Sequence, residues 1–134
     1  MNKLCGYPSE KKWKLLYRAT RDGFSGENFH SKCDGIASTL TIIKSEHGNI
    51  FGGFVEIAWD STSDYLNHDF DEDDFKTKAF IFSLVNKEKK TFKVMHYGRR
   101  IVRFDSRHGP LFGLGAFVLR LIPTRIEIAI LISE

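Results

Sequence analysis

Between Thr39 and Ile57 the chain reads TLTIIKSEHGNIFGGFVEI, and no other stretch constrains its folding as tightly. Leu40, Ile42 and Ile43 precede a polar Glu46-His47-Gly48-Asn49 turn, and Ile50, Phe51, Phe54, Val55 and Ile57 lead back from it. Two apolar, β-branched runs around a glycine-containing turn predict a β-hairpin. A two-residue loop at His47-Gly48 sets His47 at positive φ and pairs Ile43 with Gly52, Ile42 with Gly53 and Leu40 with Val55; a four-residue loop is the alternative. Both faces of this ribbon carry large apolar groups. Gly52 and Gly53 sit side by side where a neighbouring layer or ring can approach closely. Such a hairpin needs cover on each side, so it is expected in the interior of a layered fold.

The remaining elements fit that frame. Trp13–Arg18 (WKLLYR) is an apolar cluster suited to a strand or short buried segment, and Asp22-Gly23 marks a turn. Ser25 is placed to cap a helix, with Phe24 and Phe29 at the spacing of a hydrophobic staple. Phe29 and Cys33 share a face of that helix, and Gly35 ends it. Cys33 is therefore expected as a packed core residue, with a reactive thiol as the rival reading. A long polar loop follows from Ala58, with Trp59, Tyr65 and Phe70 as anchors. Lys78–Val85 and Thr91–Tyr97 make a second hairpin around the charged turn Asn86–Lys90. Arg99–Asp105 alternates again, the glycines around Gly109-Pro110 bend the chain, and Phe117–Leu121 and Arg125–Ile132 close it. Ile126, Ile128, Ile130 and Ile132 fall on one face of the last strand, the mark of an inner strand.

Some seven or eight strands and one good helix, with nothing alternating as βαβ, predict an α+β, mostly β chain. The expected form is a two-sheet antiparallel β-sandwich with short flanking helices. Residues 1–12, polar with Gly6 and Pro8, are expected as a loosely held arm, and residues 13–134 as one domain. The chain of 134 residues is long enough to bury about two-thirds of its unfolded surface.

Charge limits the partners. A net charge of +3 does not by itself call for nucleic acid. Its distribution says more: residues 56–74 carry eight acids and no Lys or Arg, and residues 76–107 carry ten bases and two acids. Surfaces of separated sign suit docking onto a protein partner. Two cysteines, Cys5 and Cys33, do not make a disulfide framework, and no signal-peptide pattern opens the sequence. A reducing cytosolic or nuclear setting is expected over secretion. Ala116–Ile132 is broken by Arg120, Pro123, Arg125 and Glu127 and is no membrane span.

No constellation for catalysis emerges. Asp69, Asp71, Asp73 and Asp74 have the alternation of a calcium loop. Counted from Asp69, however, the sixth position is Asp74 instead of glycine and the twelfth is Phe80 instead of glutamate. The five histidines show no zinc-ligand spacing with each other or with cysteine. Gly109, Gly113 and Gly115 lack the Lys-Ser/Thr of a phosphate loop. Basic strand residues interleaved with Phe92, Tyr97 and Phe104 read as the solvent sides of strands ahead of an RNA-binding face.

The ordered motifs LLYRATRDGFSGENFHSKCDG, TLTIIKSEHGNIFGGF, Trp59, KAFIFSL and FDSRHGPLFGLG resemble the TLDc domain, the module of the oxidation-resistance proteins, over residues 13–115. The matching positions include Arg21, Asp22, Gly23, Phe24, Phe29, Cys33, Asp34, Gly35, Phe51, Gly52, Gly53, Trp59, Phe82, Leu84, Gly109, Phe112 and Gly113. The resemblance implies a β-sandwich with short helices and a binding module in place of an enzyme; together with the spacings above, no cofactor or metal is expected. It also implies a part in oxidative-stress protection, with the peripheral subunits of the vacuolar proton-pumping ATPase as partner, and the cysteine usage above sets the expected location as cytoplasmic. A redox-active protein whose Cys33 is consumed by peroxide is the alternative. The chain departs from the family pattern at its end, where Leu121 and Arg125 lie almost together and a longer polar loop is shortened or lost.

Overall fold

A computed structural model describes residues 1–61, 78–96, 102–103, 106–112 and 127–133. The strands are β1 (Trp13–Arg18), β2 (Thr39–Lys44), β3 (Ile50–Val55), β4 (Ala79–Val85), β5 (Phe92–His96), β6 (Val102–Arg103), β7 (Leu111–Phe112) and β8 (Glu127–Ser133). Three short helices join them: α1 (Asn2–Cys5), α2 (Ala19–Asp22) and α3 (Gly26–Cys33). The fold is mostly β, with six strands in one antiparallel sheet ordered β1-β8-β2-β3-β4-β5 and β6 paired with β7 in a second. The isoleucine-rich β8 lies between β1 and β2, an inner strand as its periodicity predicts.

The β2–β3 hairpin forms where expected, one residue out of the expected register. Ile43 faces Phe51, Ile42 faces Gly52 and Leu40 faces Phe54. The cause is the turn. Gly48 N donates to Ser45 O and Ser45 N to Asn49 O, both at 2.9 Å, so Glu46, His47 and Gly48 form an odd-numbered loop. Gly48 takes the left-handed conformation (φ 78°), which His47 does not need. A type I turn closed by a left-handed residue shifts the pairing by one relative to any even loop.

Pleating then divides the hairpin between two cores. Ile43 and Val55 face a cluster with Tyr17, Phe29, Cys33, Trp59, Phe112, Ile128 and Ile130, which α3 and β7 cover. Leu40 and Phe54 face the opposite side, in a cluster with Cys5, Phe80 and Phe82. A bulge between Leu15 and Tyr17 serves both: it leaves Trp13 packed against the second cluster and turns Tyr17 into the first. The demand for cover on each side of the hairpin is met.

The second cover comes from residues expected to be loose. In place of a free arm, α1 buries Cys5 completely and sets Leu4 and Tyr7 against Phe54 and its neighbours. The Asn2 amide donates to Ser9 O and Lys11 O and accepts from the Trp13 indole. The Lys78 ammonium donates to Cys5 O and lies over the rings of Tyr7 (5.9 Å) and Phe54 (5.8 Å). The apolar face of the sheet explains this docking. Left open it would expose Phe54, Phe80 and Leu40 to water, and the nearest chain that reaches it is the one entering β1.

Tyr65, Phe70, the acidic run Asp69–Asp74, Tyr97, Phe104, Gly113, Gly115 and the expected strand at Phe117–Leu121 lie outside the described residues. Among those described, no helix is long and apolar enough to cross a membrane.

Candidate functional site

Of the residues singled out by sequence, Phe24, Phe29, Cys33, Phe51, Trp59 and Phe112 gather on the first face of the sheet, below α3. Phe82 and Leu84 lie in the second cluster, and Gly52 faces Phe82. The helix starts as its sequence predicts: Ser25 Oγ accepts from Asn28 N at 3.1 Å, and Phe24 packs on the cluster that holds Phe29. Gly26 lies so near the backbone of Arg107 and His108 that a Cβ there would overlap it, with the Arg107 carbonyl oxygen at 2.6 Å. The helix ends at Cys33, and Gly35 follows in the left-handed conformation (φ 75°).

Phe29 organises the rings. Its centroid lies 5.8 Å from Tyr17 and 5.2 Å from Trp59, each edge to face, and Trp59 meets Phe112 at 5.9 Å in the same way. The Trp59 indole donates to Thr39 Oγ1 at 2.8 Å, so its one polar atom is satisfied within the core. The close approach expected at the paired glycines is realised. A Cβ on Gly53 would sit 2.6 Å from the Phe112 ring, and one on Gly52 would collide with the Thr41 carbonyl oxygen and reach Phe82. Gly109 is buried, with open space where its Cβ would be.

Two polar networks frame this core. At its edge, Asp22 accepts from the Arg21 guanidinium through both oxygens (2.8 and 2.6 Å) and from Arg18 N (2.9 Å). Arg21 first, then the Arg18 amide, hold the Asp22 carboxyl down at about 2. Arg21 also donates to Leu16 O, the bulged residue. Tyr17 OH donates to Gly23 O at 2.6 Å, and burial pushes its phenol up to about 12.

Deeper in, His30 is 6% exposed and joins α3 to two loops. Its Nδ1 lies 2.6 Å from Asp34 Oδ1 and its Nε2 lies 3.0 Å from the His108 carbonyl oxygen. Asp34 Oδ2 accepts from Ser61 N at 3.0 Å, and Gly35 N donates to Trp59 O at 2.9 Å. His30 was not singled out by its sequence. The one signal available was its i, i+4 spacing to Asp34 on a helix that also carries Phe29 and Cys33.

Cys33 is fully buried in the first cluster. Desolvation above all, then Asp34 and Asp22, pushes its thiol up to about 12. A peroxide-reactive cysteine needs a low pKa and access to solvent. Cys33 has neither, which argues against the redox alternative. Cys5 is also a buried free thiol, in the other cluster. Among the described residues no three His, Cys, Asp or Glu side chains gather as metal ligands. The described motif residues of the first face close a core around a helix and pin the loops that cross it.

A protein-family model described as the TLDc domain matches residues 3–132, a span that runs from the second residue of α1 to the last residue but one of β8. Comparison with curated proteins finds no match.

Proposed function

The chain belongs to the TLDc domain family, and from that membership we propose that it is a non-catalytic protein-interaction module of cytoplasmic oxidative-stress protection. On this reading it binds and regulates the vacuolar proton-pumping ATPase through the peripheral subunits. One observation supports the non-catalytic part: among the described residues, the motif side chains best suited to chemistry are occupied by the scaffold. Cys33 is sealed under α3, His30 bridges Asp34 and the His108 carbonyl, and Arg21 and Asp22 hold each other. Along the sequence, charge runs in opposed acidic and basic blocks, residues 56–74 and 76–107, a separation that suits docking onto a protein partner.

Affinity capture tests the partner. Tagged chain incubated with lysate at low salt is expected to recover peripheral ATPase subunits, identified by mass spectrometry and lost as salt is raised. Recovery of no ATPase subunit overturns the assignment. Peroxide kinetics test the rest. Thiols of the native chain are expected to react far more slowly than those of the urea-unfolded chain. Equal rates would restore Cys33 as a redox centre.

A further inference from the structure

The β4–β5 end of the sheet differs from the rest of the described surface. A cleft of about 510 Å³ opens there, walled by Phe51, Ile81, Phe82 and Phe92 and edged by Asn86 and Lys87. That volume lies within the range of clefts that hold ligands, about 300–1,000 Å³. Phe92 and Val85, on either side of the turn, are each 47% exposed, the most open large apolar side chains described.

The turn itself carries two features of note. Asn86 Nδ2 donates to Ser83 Oγ (2.9 Å) and Lys90 O (2.7 Å), which fixes the amide. Its Oδ1 is left buried with no hydrogen-bond partner among the described residues, and a buried acceptor of this kind is relieved by an incoming donor. Lys89 occupies the left-handed region (φ 53°) and donates its N–H to Asn86 O at 3.1 Å. The β2–β3 turn has the same hydrogen bond and fills the same place with Gly48, which adopts that conformation without a Cβ penalty. A lysine there places a charge at the cost of backbone strain, and such strain collects at functional sites. Lys87, Lys89 and Lys90 are all exposed, against the single acid Glu88.

We propose that this cleft docks an acidic segment of a protein partner through one apolar anchor. The anchor side chain enters between Phe51, Ile81 and Phe92. A backbone N–H beside it meets Asn86 Oδ1, and flanking carboxylates meet the lysines of the turn. Apolar walls with a polar rim are the ordinary anatomy of a protein interface core. The lysine rim selects an acidic occupant and speeds its arrival. The proposal rests on the interaction-module reading and locates its binding face.

The test uses the full chain and a short labelled peptide with one central Phe flanked by glutamates, followed by fluorescence anisotropy. The controls replace the peptide's Phe by Ser or its glutamates by lysines. The protein variants are Phe92→Ser and the pair Lys87→Glu with Lys90→Glu, all at exposed positions, with thermal unfolding checked to be unchanged. Roughly tenfold weaker binding is expected for either control peptide and for either variant, with further loss at high salt. Equal binding of all peptides, binding of none, or tighter binding of an oligonucleotide or of anionic vesicles overturns the proposal. Affinity capture separates it from the broader reading. ATPase subunits recovered equally by wild type and by the variants overturn the cleft and leave the adaptor role standing. Failure with wild type alongside selective peptide binding overturns the ATPase assignment and leaves the cleft.

Discussion

The two faces of the central sheet are closed by different kinds of material. Over the first lie α3, Trp59 and Phe112, drawn from distant parts of the chain and fitted by edge-to-face rings and a glycine. Over the second lies the segment just upstream of β1, held by one lysine, one asparagine and a few apolar side chains. The first cover depends on shape, because each ring is positioned by the next. The second depends on area and charge, and is accordingly the more forgiving of substitution.

The glycine pair puts that contrast to its hardest test. Gly52→Ala sets a Cβ against the Thr41 carbonyl oxygen, a backbone atom of the neighbouring strand that cannot turn aside. Gly53→Ala meets the Phe112 ring at 2.6 Å, and a ring can shift. We expect Gly52→Ala to cost about 3 kcal/mol or more and Gly53→Ala about 1–3 kcal/mol, by urea denaturation. Only the second should disturb the near-ultraviolet signal of Trp59 without disrupting the sheet. An equal or larger loss for Gly53→Ala would mean the first face is locked more rigidly than the sheet itself.

The same contrast explains what was legible in the sequence. The first face announced itself because its demands fall on special residues: Ser25 as a cap, Phe24 and Phe29 as a staple, Gly53 as the point where the Phe112 ring approaches. The inner place of β8 followed from isoleucines at period two. Hairpin register did not follow, because a turn of odd length and one of even length contain the same residue types, and one residue decides the pairing. The second cover was illegible for a related reason. Leu4, Cys5 and Tyr7 sit among Lys, Gly, Pro and Ser, and α1 is too short to show a helical period. His30 was hidden because its partners, Asp34 and the His108 carbonyl, meet it only through the tertiary fold.

Lys78→Ala isolates the second cover. It removes the donor to Cys5 O and the cation lying over Tyr7 and Phe54. A loss of about 1–2 kcal/mol is expected, with amide exchange rising first in residues 2–7 and little changed in α3. Exchange rising together on both faces would show that the two covers open as one unit and that the distinction between them is only geometric.

The smallest effect belongs to the polar edge of the first face. Its sign is set by Asp22, whose carboxyl is held down from 3.8 to about 2, chiefly by Arg21 and then by the Arg18 amide. A carboxyl lowered by folding adds stability that is fully present above its unfolded value and is lost as pH falls through the folded one. Wild type should therefore lose this contribution between about pH 4 and about pH 2, while Asp22→Asn, which has none to lose, should show a flatter profile there. The gap between the two proteins is expected to be constant from pH 7 to pH 5 and to close toward pH 2, in thermal unfolding followed at each pH. Because Arg21 is half exposed, salt should narrow the gap at neutral pH as well. A gap that stays open at pH 2 would assign Asp22 a purely geometric part in holding the bulge at Leu16, through Arg18 N and the guanidinium it positions.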